Sequence, residues 1–244
     1  MSILASVVDV YQLFLKNGNE LTVTYLVNEL GMPKSSASRL LKQMADHGLL
    51  EKNKNAPIYR PGTIILEIAH RLRFAHPFID LVLTSLNDIS RDTGFTSYAS
   101  VLDGDQVRVA HARLGTQMIQ VVTQPGTLLP VMDTSTGRVL LTRAKPEIQN
   151  LFLSKVPTRQ EWLKQELEQI HKQGWASSIN EFVSGVASVS SAVYDPIRDE
   201  SIALCLSMPA AQVNDEFVKK LAGIVYAHAS KIGSSVGDPY WFDR

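Results

Sequence analysis

Along the first 75 residues apolar positions recur every three to four residues. Ile3, Val7, Val10, Leu13 and Phe14 share one face, so the spacing predicts a helix from Ile3 to Leu15, ended by "KNGNE". "TVTYLVNELG" reads as a short second helix, with Thr22 or Thr24 to cap it and Gly31 to stop it. Pro33 cannot prolong that helix but suits the first turn of the next. The third helix sets Ala37, Leu40, Leu41 and Met44 at i, i+3, i+4 and i+7 and closes at His47-Gly48. Leu49, Leu50, Ile58 and Tyr59 are strand material around the polar tip "KNKNAP", a short hairpin. Three helices and a hairpin over residues 1–61 make a winged helix-turn-helix. Thr63 to Ala75 is a further helix with an apolar stripe of Ile64, Ile65, Ile68, Ala69 and Leu72, broken by Pro77. It reads as a linker helix over 62–76, and its stripe calls for a partner, either a second subunit or the rest of the chain.

From residue 77 to 244 the period switches back and forth. "FIDLVLTSLNDISRDTG" is helical, and "FTSYASVLDGDQVRVAHARL" is two strands around Asp103-Gly104. "QMIQVVTQPG" reads as a third strand. "DTSTGRVLLTRA" opens with hydroxyls and turns apolar at helical spacing, which predicts a capped helix. "TRQEWLKQELEQIHKQG" is a long amphipathic helix. "GVASVSSAVYDPIRDESIALCLSMP" is two alternating strands around a polar turn, and "DEFVKKLAGIVYAHASKIG" a final helix. The assembly that buries these faces is an α+β domain, an antiparallel sheet with helices packed on it.

Charge changes the picture of the first domain only. The net charge is zero, but residues 1–75 hold nine Lys/Arg against six Asp/Glu. Between Pro33 and Pro61 stand Lys34, Arg39, Lys42, Lys52, Lys54 and Arg60 against Asp46 and Glu51, a short basic span where a polyanion would be met. The outer face of the third helix explains its use. Ser35, Ser36 and Ser38 are short enough for the backbone to approach phosphates, and a helix N-terminus adds free N–H groups. Arg39 is long enough to reach a guanine edge. Lys34, Lys42, Lys52, Lys54 and Arg60 suit phosphates.

The remaining composition mostly excludes. No stretch approaches the ~20 apolar residues of a membrane span. "MSILASVVDVYQLF" has no basic n-region, so a secretory signal is not expected. Cys205 is the one cysteine, which forbids an internal disulfide and fits a cytoplasmic protein. The histidines, His47, His70, His76, His111, His171 and His228, form no metal-ligand spacing, and neither a metal nor a cofactor is expected. "GSSVG" at 233–237 matches a nucleophile elbow, but a helix precedes it and no histidine follows, so no catalytic residue is assigned.

The order of these motifs resembles the IclR family of bacterial transcriptional regulators. "LVNELGMPKSSASRLLKQMADHGLLEK" with "YRPG" resembles its DNA-binding domain. "TGFTSYASVLDGDQVRVAHA", "LPVMDTSTGRVLL", "GWASSINEFVSGVASVSSAVYD" and "ALCLSMP" resemble its effector domain, in order. The resemblance implies a homodimer or dimer of dimers that binds double-stranded operator DNA. It also implies a GAF/PAS-like sensor domain over 77–244 that takes a small metabolite, often a carboxylic acid. Carried over by position, the metabolite's acid group meets backbone N–H groups of Ser135 and Thr136 beside Leu129. Ser178, Ser188, Cys205 and Ser207 line the rest. Met132-Asp133 stand where the family usually has His-Ala, Arg138 where it has Lys, and Ser178 where an acid is common. Asp133 is compatible with an anion site if it caps the helix. Two other readings use the same elements: a winged helix that docks protein, and an enzyme with an appended DNA-binding domain.

Overall fold

The computed structural model describes residues 3–74 and 77–242, and of 17, 69–74 and 77 the backbone alone. The chain divides into two compact units, Met1–Pro77 and Phe78–Arg244. The expectations at Ala69, Leu72, His70, His76 and the boundary near residue 76 lie outside the described residues.

In the first unit the order is α1 (Ile3–Asn17), β1 (Leu21–Thr22), α2 (Val23–Leu30), α3 (Lys34–Asp46), β2 (Leu50–Lys52), β3 (Ile58–Pro61) and α4 (Thr63–Phe74). Thr22 is the cap of α2, its hydroxyl accepting from Tyr25 N at 3.1 Å. Gly31 ends α2 at φ 64°, the left-handed region glycine enters without a Cβ penalty. The expected hairpin gains a third strand, because Leu21 and Thr22 pair antiparallel with Tyr59 and Ile58. Two residues are too few for alternation to show in a sequence. The core gathers Val10, Leu13 and Phe14 of α1, Leu26 of α2, Ala37, Leu40, Leu41 and Met44 of α3, and Leu50 and Tyr59 of the wing. The Tyr11 hydroxyl donates to Leu49 O at 2.8 Å and ties α1 to the wing. Ile3 departs from the expected face: it is exposed, as are Leu4, Val8 and Leu15. On α4, Ile64, Leu66 and Ile68 are also exposed.

The second unit is one six-stranded antiparallel sheet in the order β6-β5-β4-β9-β8-β7. Its strands are β4 (Thr96–Asp103), β5 (Gln106–Arg113), β6 (Leu128–Pro130), β7 (Ala176–Ile179), β8 (Val186–Asp195) and β9 (Glu200–Pro209). Side chains alternate across it. Ala187, Val189, Val193, Leu204, Leu206 and Met208 pack against α5 (Pro77–Thr93) and α9 (Asp215–Val236). Ala176, Ala192 and Ala203 face α6 (Ser135–Arg143), α7 (Pro146–Lys155) and α8 (Gln160–Gln173) on the other side. Small residues on that side let α6 lie close to the sheet. Gly137 of α6 is required by the same closeness, since a Cβ there would overlap the Val131 carbonyl.

One expected strand is not a strand. Residues 114–127 form an irregular loop, and the strand beside β5 is β6, just beyond it. The Met118 side chain is fully exposed, and Ile119 and Val122 are more than half and half exposed, so the apolar positions of "QMIQVVTQPG" have no sheet face to bury. α7 and β7 were also absent from the sequence reading, α7 for want of a clear apolar stripe and β7 because it is only four residues long.

Candidate functional site

Two places in the chain gather the chemistry singled out above, one in each unit.

In the first unit, α3 buries Ala37, Leu40, Leu41 and Met44 and leaves Lys34, Ser35, Ser38, Arg39 and Lys42 exposed, with Ser36 half-buried. The residue before the helix is Pro33, which supplies no side-chain cap. The N–H groups of its first turn therefore point outward without side-chain acceptors. Among the described residues Lys34, Arg39, Lys42 and Lys54 make no ion pair, and Lys52 lies 5.9 Å from the Tyr59 ring. Arg60 differs from the expectation of a free phosphate ligand. It is ion-paired with Glu20 across β1 and β3, although both side chains are about half exposed. In sequence those two residues are 40 apart, so the pairing is a product of the third strand.

In the second unit, register decides which residues meet. Ser178 pairs with Ser188, Ser188 with Ser207 and Ser207 with Thr96, forming one rung across β7, β8, β9 and β4. Ser190, Cys205 and Tyr98 form the next rung on the same face. The N-terminus of α6 comes down onto these rungs. A cavity of about 270 Å³ lies there, lined by Leu129, Thr136, Ser178, Ser188, Cys205 and Ser207 together with Tyr98, Ser100, Val109, Asp133, Thr134 and Glu181. Val121, Val122 and Thr123 from the irregular loop, Phe182 and Val183 from the turn before β8, and Val186 at the start of β8 complete it.

Ser135 is the exception among the sequence-assigned residues. Its side chain is fully buried behind the cavity wall, its hydroxyl 2.8 Å from Ser190 Oγ and 2.9 Å from Ser188 Oγ. Its N–H is directed at Ser178 Oγ, at 3.4 Å. Ser178 and Ser188 share a 2.8 Å hydrogen bond, and Thr136 Oγ1 lies 3.1 Å from Ser190 Oγ. These five hydroxyls form one network that seats α6 on the sheet. Among the described residues the Thr136 N–H has no acceptor.

The cap of α6 is Thr134, whose hydroxyl accepts from Gly137 N at 3.1 Å and donates to Pro130 O at 2.8 Å. Asp133 therefore does not cap the helix. Its carboxylate is paired with Arg159 at 2.9 Å, and that guanidinium stacks over Trp162. Glu181, the second carboxylate of the wall, takes a two-pronged contact from Arg138 at 2.6 and 3.1 Å. Arg138 is almost wholly buried and also donates to Met132 O and Ser177 O, so it braces the loop instead of entering the cavity. Both wall carboxylates are balanced, and among the described residues no cation lines the cavity. Burial pushes the Tyr98 phenol above its usual range, so it is a neutral donor.

Tyr98 and Ser100 were missed by the sequence reading, although their two-residue spacing on β4 puts them on one face. The lining residues from the two loops carried no periodic signal. Among the described residues no three His, Cys, Asp or Glu come together as metal ligands, and no helix is long and apolar enough to cross a membrane.

Comparisons with known proteins follow the same division. Residues 75–234 match the family described as bacterial transcriptional regulator IclR C-terminal, and residues 7–54 match the IclR helix-turn-helix domain. The chain is 28% identical over 227 residues to an HTH-type transcriptional regulator of Mycobacterium tuberculosis, covering 88% of this chain and 82% of that one. It is 28% identical over 218 residues to the HTH-type transcriptional regulator XynR of Escherichia coli, covering 84% and 85%. The fold is shared with an IclR homologue from Microbacterium hydrocarbonoxydans, solved as a complex with 4-hydroxybenzoate, at TM-score 0.81 and 20% identity over 97% of this chain and 99% of that one. These relatives are regulators, which agrees with the expectation that the chain is not an enzyme. With an exposed, uncapped α3 in one unit and matches to both domain families in sequence, the chain belongs to the IclR family of DNA-binding transcriptional regulators.

Proposed function

We propose that the protein is a ligand-responsive regulator that binds operator DNA through α3 and the wing and a small organic acid in the 270 Å³ cavity of the second unit. Arg39 reads a base edge, and Lys34, Ser35, Ser36, Ser38, Lys42, Lys52 and Lys54 hold phosphates. Arg60 joins them by exchanging Glu20 for a phosphate, since an exposed pair is worth at most about 1 kcal/mol. The observation that carries the ligand reading is the free Thr136 N–H at the start of α6, facing a cavity with a hydroxyl wall and no cation. A helix N-terminus holds one negative charge without a cation, whereas a polyphosphate would need several. The apolar remainder, with Val109, Leu129 and Phe182, suits a small ring or branched chain. The bound 4-hydroxybenzoate of the Microbacterium homologue is a compound of that kind. Leu129, Thr136, Ser178, Ser188, Cys205 and Ser207 touch the ligand, while Ser135 supports them from behind.

The regulator acts in the cytoplasm as a homodimer or dimer of dimers. Exposed Ile64, Leu66 and Ile68 on α4 supply apolar surface for self-association. Pairing two half-sites supplies the specificity one winged helix lacks.

The test is calorimetric titration of matched acids and amides, 4-hydroxybenzoate against 4-hydroxybenzamide first, into wild type and Thr136→Pro. Thr136 is the second residue of α6, in the first turn, where proline forfeits no intrahelical hydrogen bond. The substitution removes the Thr136 N–H and its hydroxyl from the site. Acids are expected to bind wild type and to bind the folded variant at least tenfold more weakly. Binding of neutral compounds alone, or equal acid affinity in the variant, rejects the anion site.

A further inference from the structure

The loop over the cavity is fastened in an unusual way. Its start is held by Gly94 O, which accepts from Thr116 N and Gln117 N at 2.8 and 3.0 Å. Its end is held by Val109, which exchanges backbone hydrogen bonds with Gly126 and Thr127 at 2.7 and 3.0 Å. Between those anchors, among the described residues, the hydrogen bonds that tie 118–125 to the sheet come from one side chain. Tyr98 Oη donates to Val121 O at 2.7 Å and accepts from Thr123 N at 3.1 Å. The loop has no regular structure of its own, and its apolar side chains Met118 and Ile119 face solvent while Val122, at the cavity wall, is still half exposed, so burial holds it weakly.

The Tyr98 ring is itself part of the cavity, packed with Val109 and Cys205. One residue therefore touches both the space a ligand would occupy and the backbone that closes it.

We propose that Tyr98 is the latch of the cavity: its hydroxyl pins residues 121–123 across the mouth, and its release opens the route by which a ligand enters and leaves. The one phenolic proton is given to the loop, so Tyr98 has none to donate to a ligand, and its ring is the part that lines the cavity. Tyr98 is a positioning residue, and an occupant that presses on the ring shifts the hydroxyl and with it the loop. This rests on the effector-pocket reading for its purpose, but not for its geometry.

Cys205 makes the latch measurable without knowing the ligand. It is the one cysteine in the chain, it is buried, and it lines the cavity behind the loop. Its alkylation by iodoacetamide in the native protein therefore reports opening of the mouth. Tyr98→Phe keeps the ring and its packing and deletes the latch. The expected result is roughly tenfold faster alkylation of Cys205, since a lost hydrogen bond with an orphaned partner costs on the order of one factor of ten. Amide hydrogen exchange is expected to accelerate at 119–124 and to stay unchanged in β4 and β9. Tyr11→Phe is the control: it also deletes a tyrosine–backbone bond, but in the first unit, and is expected to leave the Cys205 rate unchanged.

An unchanged alkylation rate in folded Tyr98→Phe overturns the latch. So does acceleration matched by equally faster exchange through β4 and β9, which would place the effect in general stability. Failure to find any acid that binds wild type would remove the proposed ligand class while leaving the labelling result to decide the latch.

Discussion

α3 and α6 both begin with hydroxyl-bearing residues, Ser35-Ser36 in one and Thr134-Ser135-Thr136 in the other. The two N-termini are finished in opposite ways. α3 starts at an uncapping proline, and among the described residues its exposed or half-buried serines and the cations beside them have no side-chain partner. α6 starts under a threonine cap, its hydroxyls are bonded to Ser188 and Ser190 and its first N–H to Ser178, and the nearby carboxylates are balanced by Arg138 and Arg159. The first arrangement suits a polyanion approached from solvent, where cations steer and short side chains keep out of the way. The second suits one charge inside a cavity, where a prearranged N–H does what an arginine would do at higher desolvation cost. The same residue types thus serve two kinds of recognition, and the partners of the hydroxyls tell them apart.

The largest break in that comparison is expected from Gly137→Ala. A methyl there meets the Val131 carbonyl, so α6 must lift from β6 and the hydroxyl network. Overpacking of this kind costs about 1–3 kcal/mol or more, and urea unfolding of the second unit should show it. Ser38→Ala on the exposed face of α3 should stay within about 0.5 kcal/mol by the same measurement. If both are neutral, α6 is not seated as tightly as described.

Arg39→Ala should lower affinity for operator DNA by about 1–3 kcal/mol while leaving stability and acid binding intact. Fluorescence anisotropy with a labelled duplex measures it. Undiminished affinity in the folded variant would move base reading elsewhere on the unit.

Ser190→Ala sharpens the contrast from the other side. Ser190 is fully buried and bonded to both Ser135 and Thr136, and its loss leaves their hydroxyls short of a partner. About 1–2 kcal/mol of stability should disappear, with no change in DNA affinity at constant folded fraction. A neutral result would mean that the network is mere proximity.

Arg159→Ala is expected to have the smallest effect on stability, under about 1 kcal/mol, because the pair with Asp133 is nearly half exposed. It leaves the Asp133 carboxylate unbalanced at the cavity wall, so acid binding should weaken, and more so at low salt. Acid affinity equal to wild type at low ionic strength would show that Asp133 does not influence the ligand.

Much of this was written into the sequence. Apolar spacing alone fixed the buried face of α3, because a helix repeats its neighbours within a few residues. The β8–β9 hairpin was legible for a related reason: a period of two places Ser188 with Ser190, and Cys205 with Ser207, on one face each. The stop of α2 at Gly31 was legible and its cap was narrowed to Thr22 or Thr24, because both roles depend on groups three or four residues away. Periodicity misled where apolar residues had no face to cover, as at Met118, Ile119 and Val122, whose loop is held by a hydroxyl more than twenty residues earlier. Whether the two rungs Ser178–Ser188–Ser207 and Ser190–Cys205–Tyr98 would meet under α6 depended on strand register between segments up to 107 residues apart. No local pattern encodes register. Only tertiary structure placed Ser135 behind the wall, gave the capping role to Thr134, paired Asp133 with Arg159 and Arg60 with Glu20, and brought Tyr98 to the loop. Local chemistry set what each segment could form, and long-range packing, which must satisfy every buried polar group at once, chose the partners.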